Sequence, residues 1–482
     1  MSKDGKEFVR AITPQKEDFS QWYVDVVTKA ELADYAPVRG CIVVRPTGYA
    51  IWEGIQAGLD RRFKETGVQN AYFPMFIPES LFRKEAEHVK GFSPEVPWVT
   101  HVGDEALTER LVIRPTSEII IGSMYAKWIQ SYRDLPVLIN QWCSVVRWEK
   151  ATRPFMRTTE FLWQEGHTAH RDEKEARERT LMMLDVYRAF YEEDLAIPVV
   201  PGEKSASEKF AGAVSTYSVE ALMGDGRALQ AGTSHYLGQG FAEVLDIGFL
   251  DSDGQRKLVH QTSWGLSWRS IGALVMVHGD DRGLVLPPKI APTQVVIVPI
   301  MAGKDKEQVL AKADELLIRL QRSFRTRADK REEYSPGWKF NEWEMRGVPV
   351  RLEIGPRDLR NNQVILVRRD SGEKQAVSVD RLEDALRDTV GSIQDSLFTR
   401  AEDFLKDNTH RASNITELAS LLTERRGMVE TPWCGDAACE QKVKELTGAT
   451  IRNIPLDQPP PAGRCVSCGG PAKHKVYFAK AY

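Results

Sequence analysis

The run 142–167, WCSVVRWEKATRPFMRTTEFLWQEGH, constrains this chain more than any other. It predicts two strands, 142–149 and 158–167, joined by a loop that carries Arg153, Pro154 and Arg157. Side chains alternate along a strand, so Arg147 and Glu149 share one face, and Phe161, Trp163, Glu165 and His167 share one face of the second strand. Val146, Trp148 and Leu162 fall on the opposite faces. The mixed face is too charged for a core and too aromatic for a solvated surface. Taken alone it fits either a plain amphipathic hairpin or a wall for a flat, charged ligand such as a nucleotide.

With 482 residues the chain has room for two or three domains. Its formal net charge is only -3, so a nucleic-acid partner would have to be met by local basic patches, not bulk attraction. The opening MSKDGKEF has no apolar signal core and no run approaches the length of a membrane span, which leads us to expect a cytoplasmic protein with no membrane partner. Four of the six cysteines crowd into the last fifty residues, which argues against a disulfide framework. Cys434-x4-Cys439, then 25 residues, then Cys465-x2-Cys468 is a tetrahedral zinc pattern, and four thiolates would make a closed, structural site. Cys41 and Cys143 stand alone and read as packing residues.

Along the chain, residues 18–32 predict an amphipathic helix and 41–44 a strand. Thr47 is placed to cap a helix with the stripe Ile51, Ile55, Leu59 and Phe63, ended by Gly67, and a strand AYFPMFIP with two prolines follows. Pro115-Thr116-Ser117-Glu118 opens a helix, where a cap and a first-turn acid explain the residue types. A charged amphipathic helix covers 173–193, and LQAGTSHYLGQG offers His235 among small neighbours that allow close approach. Gly265 is expected to end a strand, with Ser267 capping a helix that has Arg269 in its first turn and Gly279 at its end. After Leu286-Pro287-Pro288 the strand QVVIVPI, helices over 304–329 and 337–345, and the strands VPVRLEI and NQVILVRRD predict a small α/β domain. The basic run Arg319, Arg322, Arg325, Arg327, Lys330 and Arg331 reads either as a phosphate contact or as a solvated helix face.

The strings VIRPTSE, VVRWE, RTTEFLWQEGH and QAGTSHYLG, in that order, resemble prolyl-tRNA synthetases of the archaeal/eukaryotic-like type, within the class II aminoacyl-tRNA synthetases. The resemblance spans almost the whole chain. It implies an α+β fold: a class II antiparallel catalytic sheet with helices over 1–286, an α/β anticodon-binding domain over 287–400 and a C-terminal α/β zinc domain over 401–482. It implies a homodimer built on the first long helix and the proline-marked strand. It implies L-proline, ATP with Mg2+, and tRNA(Pro) as partners, with Zn2+ as a structural metal.

Carried over residue by residue, the resemblance makes Arg147 and Arg269 the catalytic arginines, on the α- and γ-phosphates. Thr116, Glu118, Arg147, Trp163, Glu165, His167, Phe210 and His235 would hold proline. Arg147, Glu149, Arg157, Thr158, Phe161, Gln230, Thr233 and Arg269 would hold ATP. Glu344, Arg351 and Arg357 would read the anticodon, and the Tyr482 carboxylate would fold back towards the active site unless the tail is frayed. The interval 167–261 is already filled by predicted elements, so no hydrolytic editing domain is expected. Two other readings share these motifs: a class II synthetase for another amino acid, and a paralogue acting only as a tRNA-binding or regulatory module.

Overall fold

The structure, a computed structural model, describes residues 12–88, 95–301, 303–458 and 463–482; the opening MSKDGKEF lies outside them. Its spine is a sheet of 11 strands that runs through the N-terminal and C-terminal regions. In spatial order it comprises Thr409–Arg411, Met428–Trp433, His474–Ala479, Thr450–Pro455, Val200–Glu203, Ser215–Leu222, Ala228–Gly238, His260–Ser267, Glu160–His170, Val137–Val146 and Gln69–Asn70. All neighbours are antiparallel except the outermost pair at each end.

The 142–167 hairpin is present, but its strands are Val137–Val146 and Glu160–His170, several residues earlier and later than the sequence predicts. The ladder pairs Ile139 with His167, Gln141 with Glu165, Cys143 with Trp163 and Val145 with Phe161. Arg147 and Glu149 therefore stand beyond the last rung, where the Arg147 N–H still bonds across, to the Thr159 carbonyl at 2.8 Å. The expected alternation survives that shift because the register keeps odd-numbered residues of both strands on one face.

Behind the sheet, helix Pro46–Glu65 buries Ile51, Ile55, Leu59 and Phe63. Thr47 does not cap it: Arg45 occupies the cap and Pro46 opens the helix, where a fixed φ and a missing N–H cost nothing. The Phe63 ring packs against Trp264 at 4.8 Å and Trp142 at 6.4 Å. Gly166 permits this packing, since a Cβ there would sit 2.1 Å from the Trp264 ring. Helix Glu173–Glu193, capped by Asp172, covers the same face through Met183, Leu184, Tyr187, Phe190 and Tyr191.

The run AYFPMFIP is not one strand. Gln69–Asn70 joins the edge of the large sheet and Phe76–Pro78 joins a three-stranded sheet, with Pro74, which has no N–H to give a ladder, in the gap. Gly265 does not end its strand either. It lies within His260–Ser267, paired to Thr233 on one side and Glu165 on the other. Trp268 takes the cap position of helix Arg269–His278, although Ser267 Oγ still accepts from the Arg269 N–H at 3.3 Å.

Beyond residue 287, a five-stranded sheet is ordered Thr326–Ala328, Val295–Pro299, Val350–Ile354, Gln363–Arg368, Lys374–Ser378. The helix expected over 304–329 stops at Leu320, where its buried stripe Val309, Ala313, Leu316 and Leu320 ends; Thr326–Ala328 turns back as an edge strand. Most of the basic run is engaged inside this domain. Arg319 meets Glu383, Arg325 donates to the Ala291 carbonyl, Lys330 meets Asp314 and Arg331 meets Asp329. Helix Leu382–Asp407, unforeseen in the sequence, passes through residue 400, where the sequence places the last boundary.

The C-terminal strands join those of the N-terminal region where Ile454 pairs with Glu203 and Pro455 with Gly202. A Cβ on Gly202 would lie 2.6 Å from the Ile454 carbonyl oxygen, so the junction needs glycine there. The tail is docked: Tyr482 N–H donates to the Ala228 carbonyl and its hydroxyl to Asp225 at 2.6 Å.

Candidate active site

A cleft opens on the face of the sheet that the hairpin's odd-numbered residues share. It is lined by Thr116, Glu118, Arg147, Phe161, Trp163, Glu165, His167, Phe210, Gln230, Thr233, His235 and Arg269, and these twelve predicted residues are brought together. Glu165 forms its floor. Its Oε1 accepts from Ser117 Oγ at 2.5 Å and Gln141 Nε2 at 2.7 Å, and its Oε2 from the Ser117 N–H at 3.1 Å. Burial works to raise the Glu165 pKa, but His167 at 3.1 Å and these donors outweigh it and hold the carboxyl below its ordinary range. Burial likewise opposes a charge on His167, and the Glu165 bond with nearby Glu118 overcomes it, so the imidazole is raised. Each partner thus favours the charged form of the other.

Helix Glu118–Trp128 starts at the floor, yet its cap is not the simple one expected. Ser117 makes no cap bond with its side chain, which goes to Glu165, while Thr116 Oγ1 donates to Glu118. The threonine and the two acids are turned into the cleft instead of onto the helix. On the side wall, the Phe210 ring lies 4.7 Å from His235, whose Nδ1 is 3.0 Å from Thr216 Oγ1. Burial, reinforced by His167 and Arg147, pushes His235 down to about 3, which keeps it neutral.

Arg147 stands over the floor, its guanidinium 5.4 Å from both the Phe161 and Trp163 rings and its Nε on the Pro115 carbonyl at 3.0 Å. Burial lowers its pKa although Glu118, Glu165 and Glu149 pull the other way. Arg269 donates through Nε to the Met156 carbonyl at 2.9 Å, which ties it to the hairpin loop, and is lowered by burial and by Arg157 and Arg147. Gln230 and Thr233 are three apart, an odd spacing that would place them on opposite faces of a regular strand. The irregularity where Val219 pairs Gly232 and Glu220 pairs Gln230 leaves Ala231 unpaired and returns both to the cleft.

Glu149, Arg157 and Thr158 do not line the cleft. Arg157 and Glu149 lie on its outer rim, 3.9 Å apart, and Thr158 is buried with its hydroxyl unpartnered among the described residues. Sequence reasoning missed Glu208, Thr216, Ser263 and Gly265 as lining residues. Ser263 and Gly265 alternate on a strand next to the hairpin, a period-2 signal that was open to notice; Glu208 and Thr216 arrive through a loop and give none. Trp163 Nε1 and Ser263 Oγ are buried without partners among the described residues, polar atoms left for a ligand.

Away from the cleft, Arg351 is buried and bonds Glu344 at 2.9 Å and Glu353 at 2.9 Å, with its guanidinium 4.2 Å from the Phe340 ring. Arg357 is exposed on the short helix Pro356–Arg360. The sulfurs of Cys434, Cys439, Cys465 and Cys468 all lie within 4.8 Å of one another, and Cys434 and Cys468 are 3.9 Å apart. Tetrahedral zinc with bonds near 2.3 Å sets its sulfurs about 3.8 Å apart, so this donor set fits the metal.

Residues 98–278, which carry the whole lining of the cleft, match the tRNA synthetase class II core domain (G, H, P, S and T). Residues 294–389 match an anticodon binding domain, so fold and site together define a class II aminoacyl-tRNA synthetase. Residues 415–482 match the prolyl-tRNA synthetase C-terminal domain. Full-length identity reaches 60% to the proline--tRNA ligases of Natranaerobius thermophilus and Symbiobacterium thermophilum, covering 100% of each chain. It is 55% to a proline--tRNA ligase 2 of Clostridioides difficile, again over 100% of both chains. This chain belongs to the proline--tRNA ligase family.

Proposed function

We propose that the cleft activates L-proline with ATP and passes the prolyl group to tRNA(Pro). The observation that carries this reading is Arg147, a guanidinium with no ion pair among the described residues, held between the Glu165–His167 floor and a second unpaired arginine. A secondary ammonium placed on the floor finds acceptors in Glu118, Thr116 and Glu165. The proline carboxylate then faces Arg147, while Trp163, Phe210 and neutral His235 wall the ring.

ATP enters as its magnesium complex with adenine against Phe161. Gln230 and Thr233 line the nucleotide, Arg147 meets the α-phosphate and Arg269 the γ-phosphate, with Glu149 and Arg157 contributing from the rim and Thr158 from a buried position. A proline carboxylate oxygen attacks the α-phosphorus in line; the bond to the bridging oxygen breaks and pyrophosphate leaves. The terminal ribose hydroxyl of the tRNA next attacks the prolyl carbonyl and AMP departs. No protein nucleophile is needed, so positioning and charge stabilisation carry the rate.

Glu344, Arg351 and Arg357 are assigned to the anticodon, where Arg can grip a guanine edge and a carboxylate can accept from it. The three-domain division at about residues 286 and 400 goes with this assignment. Cys434, Cys439, Cys465 and Cys468 would hold structural zinc, which would brace the C-terminal domain and take no part in the chemistry. Two copies are expected to associate through helix Pro46–Glu65 and the proline-marked run, in which Tyr72 and Phe76 are exposed. Among the described residues no helix is long and apolar enough to cross a membrane.

ATP–pyrophosphate exchange measured across the amino acids tests the reading. Proline is expected to support exchange far above the rest; exchange with another amino acid, or with none, would overturn it. Metal analysis of protein purified under reductant is expected to return zinc at unit stoichiometry.

A further inference from the structure

One wall of the cleft is braced from outside the catalytic region. The segment 204–210 runs from the end of strand Val200–Glu203 to Phe210, and both Glu208 and Phe210 line the cleft. Its far end is held within the catalytic sheet, by the Phe210 N–H on Thr216 Oγ1 at 3.0 Å. The other contacts come mostly from the C-terminal domain. Lys204 Nζ donates to the Arg452 carbonyl at 2.6 Å and to Glu220 at 2.7 Å, while Arg452 grips the other oxygen of Glu220 at 2.9 Å. Ser205 Oγ donates to Glu440 Oε1 at 2.8 Å, and Lys444 approaches Glu208 at 3.8 Å. Glu440 and Lys444 are one turn apart on helix Ala437–Thr447, whose buried face also carries Cys439.

Ser205 and Glu440 are both buried, so their bond is not screened by water and neither side chain has a solvated alternative. Both ends of the segment are fixed in the sheet, the near one by the Lys204 N–H on the Thr216 carbonyl at 2.8 Å, but without the C-terminal contacts its middle would be free to shift, and with it Glu208 beside Phe210. We propose that helix Ala437–Thr447 sets the geometry of the amino-acid pocket, with Glu440 and Lys444 as positioning residues that act through Ser205 and Glu208. The zinc-bearing domain is then part of the apparatus that selects the amino acid, although no atom of its own lines the cleft. This inference rests on the reading of the cleft as a proline pocket.

The experiment is a double-mutant cycle of Ser205→Ala and Glu440→Ala in the full chain, followed by ATP–pyrophosphate exchange. Each single variant is expected to raise KM for proline about tenfold, the scale of one lost hydrogen bond to a charged group, with kcat and KM for ATP nearly unchanged. The double variant should be no worse than either single one, because both remove the same bond. Ser205→Thr, which keeps the hydroxyl, should restore most of the affinity, and Lys442→Ala, on the exposed side of the same helix, should behave as the unmodified chain. Zinc content and thermal midpoint are read on every variant; Ser205 lies outside the cysteine cluster, so its variant keeps the metal and decides the matter if Glu440→Ala loses it. An unchanged KM for proline in folded Ser205→Ala, or strictly additive single effects, would overturn the proposal. If the unmodified chain shows no proline-dependent exchange, it is the functional reading that fails.

Discussion

Arg147 and Arg269 in the cleft and Arg351 and Arg452 elsewhere are the same side chain under opposite conditions. Arg452 faces Glu220 at 2.9 Å and Arg351 faces Glu344 and Glu353 at 2.9 Å each, so their charges are balanced where they lie. The two cleft arginines hold only carbonyl oxygens through their Nε atoms, of Pro115 and Met156, and burial depresses both pKa values. A balanced buried arginine is finished structure. An unbalanced one raises the energy of the empty site and returns that energy when an anion arrives. The molecule thus keeps its junctions electrically closed and its cleft open to negative charge.

Removing Arg147 tests the open half. Arg147→Ala is expected to leave the fold intact while lowering proline-dependent exchange by roughly two to four decades, the loss of a desolvated charge contact of about 3 to 5 kcal/mol. Near-normal exchange in a folded variant would mean that the unbalanced charge serves something else. Glu220→Ala tests the closed half. It strands Lys204 and Arg452 as buried cations without their shared carboxylate, and urea unfolding should show a loss of about 3 to 5 kcal/mol. An unaltered unfolding midpoint would show that water already relieves the cluster.

A third variant asks whether a balanced arginine can also be functional. Arg351→Ala should leave exchange unchanged, since Arg351 lies far from the cleft lining, and should weaken the KM for tRNA(Pro) by about 1 to 3 kcal/mol. Loss of exchange would place Arg351 among purely structural arginines.

The smallest effect concerns histidines kept neutral. Burial pushes His235 to about 3 and His170 and His278 to about 4. Their folded pKa values lie below the unfolded value near 6.5, so stability is lost as pH falls below that value, by about 1.4 kcal/mol per pH unit for each group. His167 shifts the other way and His260 is lowered like the other three, so across the window from pH 6 to 5 one residue's share is read from a single variant and not from the total slope. His278→Gln should flatten the slope of unfolding free energy across that window by one histidine's share; an unchanged slope would remove His278 from the account.

Much of the cleft was legible because it lies on strands. Alternation alone grouped Phe161, Trp163, Glu165 and His167, and the register placed Arg147 with them although it stands past the last rung. Where position depends on tertiary contact, the sequence signal failed. Ser117 looks like a cap residue, yet its hydroxyl is drawn to a carboxylate 48 residues away. Glu149 and Arg157 share a motif with Arg147 but fall on the rim, and Thr158 is buried away from the cleft lining, since the loop after Val146 leaves the sheet. Glu208 had no periodic pattern to betray it. In the fold, Pro74 and the Leu320 stop were written in the residues but competed with longer apolar runs, and the helix through residue 400 was hidden by its polar composition.

The join between Thr450–Pro455 and Val200–Glu203 has a further consequence for manipulation of the protein. A chain cut near residue 400 would present Val200–Glu203 as a bare strand margin, ready to add a strand from any neighbour. The terminal eighty residues therefore work as a selvedge for the catalytic sheet. Shortened forms should clump for want of an edge, whatever the fate of their chemistry, and a graft that restores only the metal knuckle would not cure them.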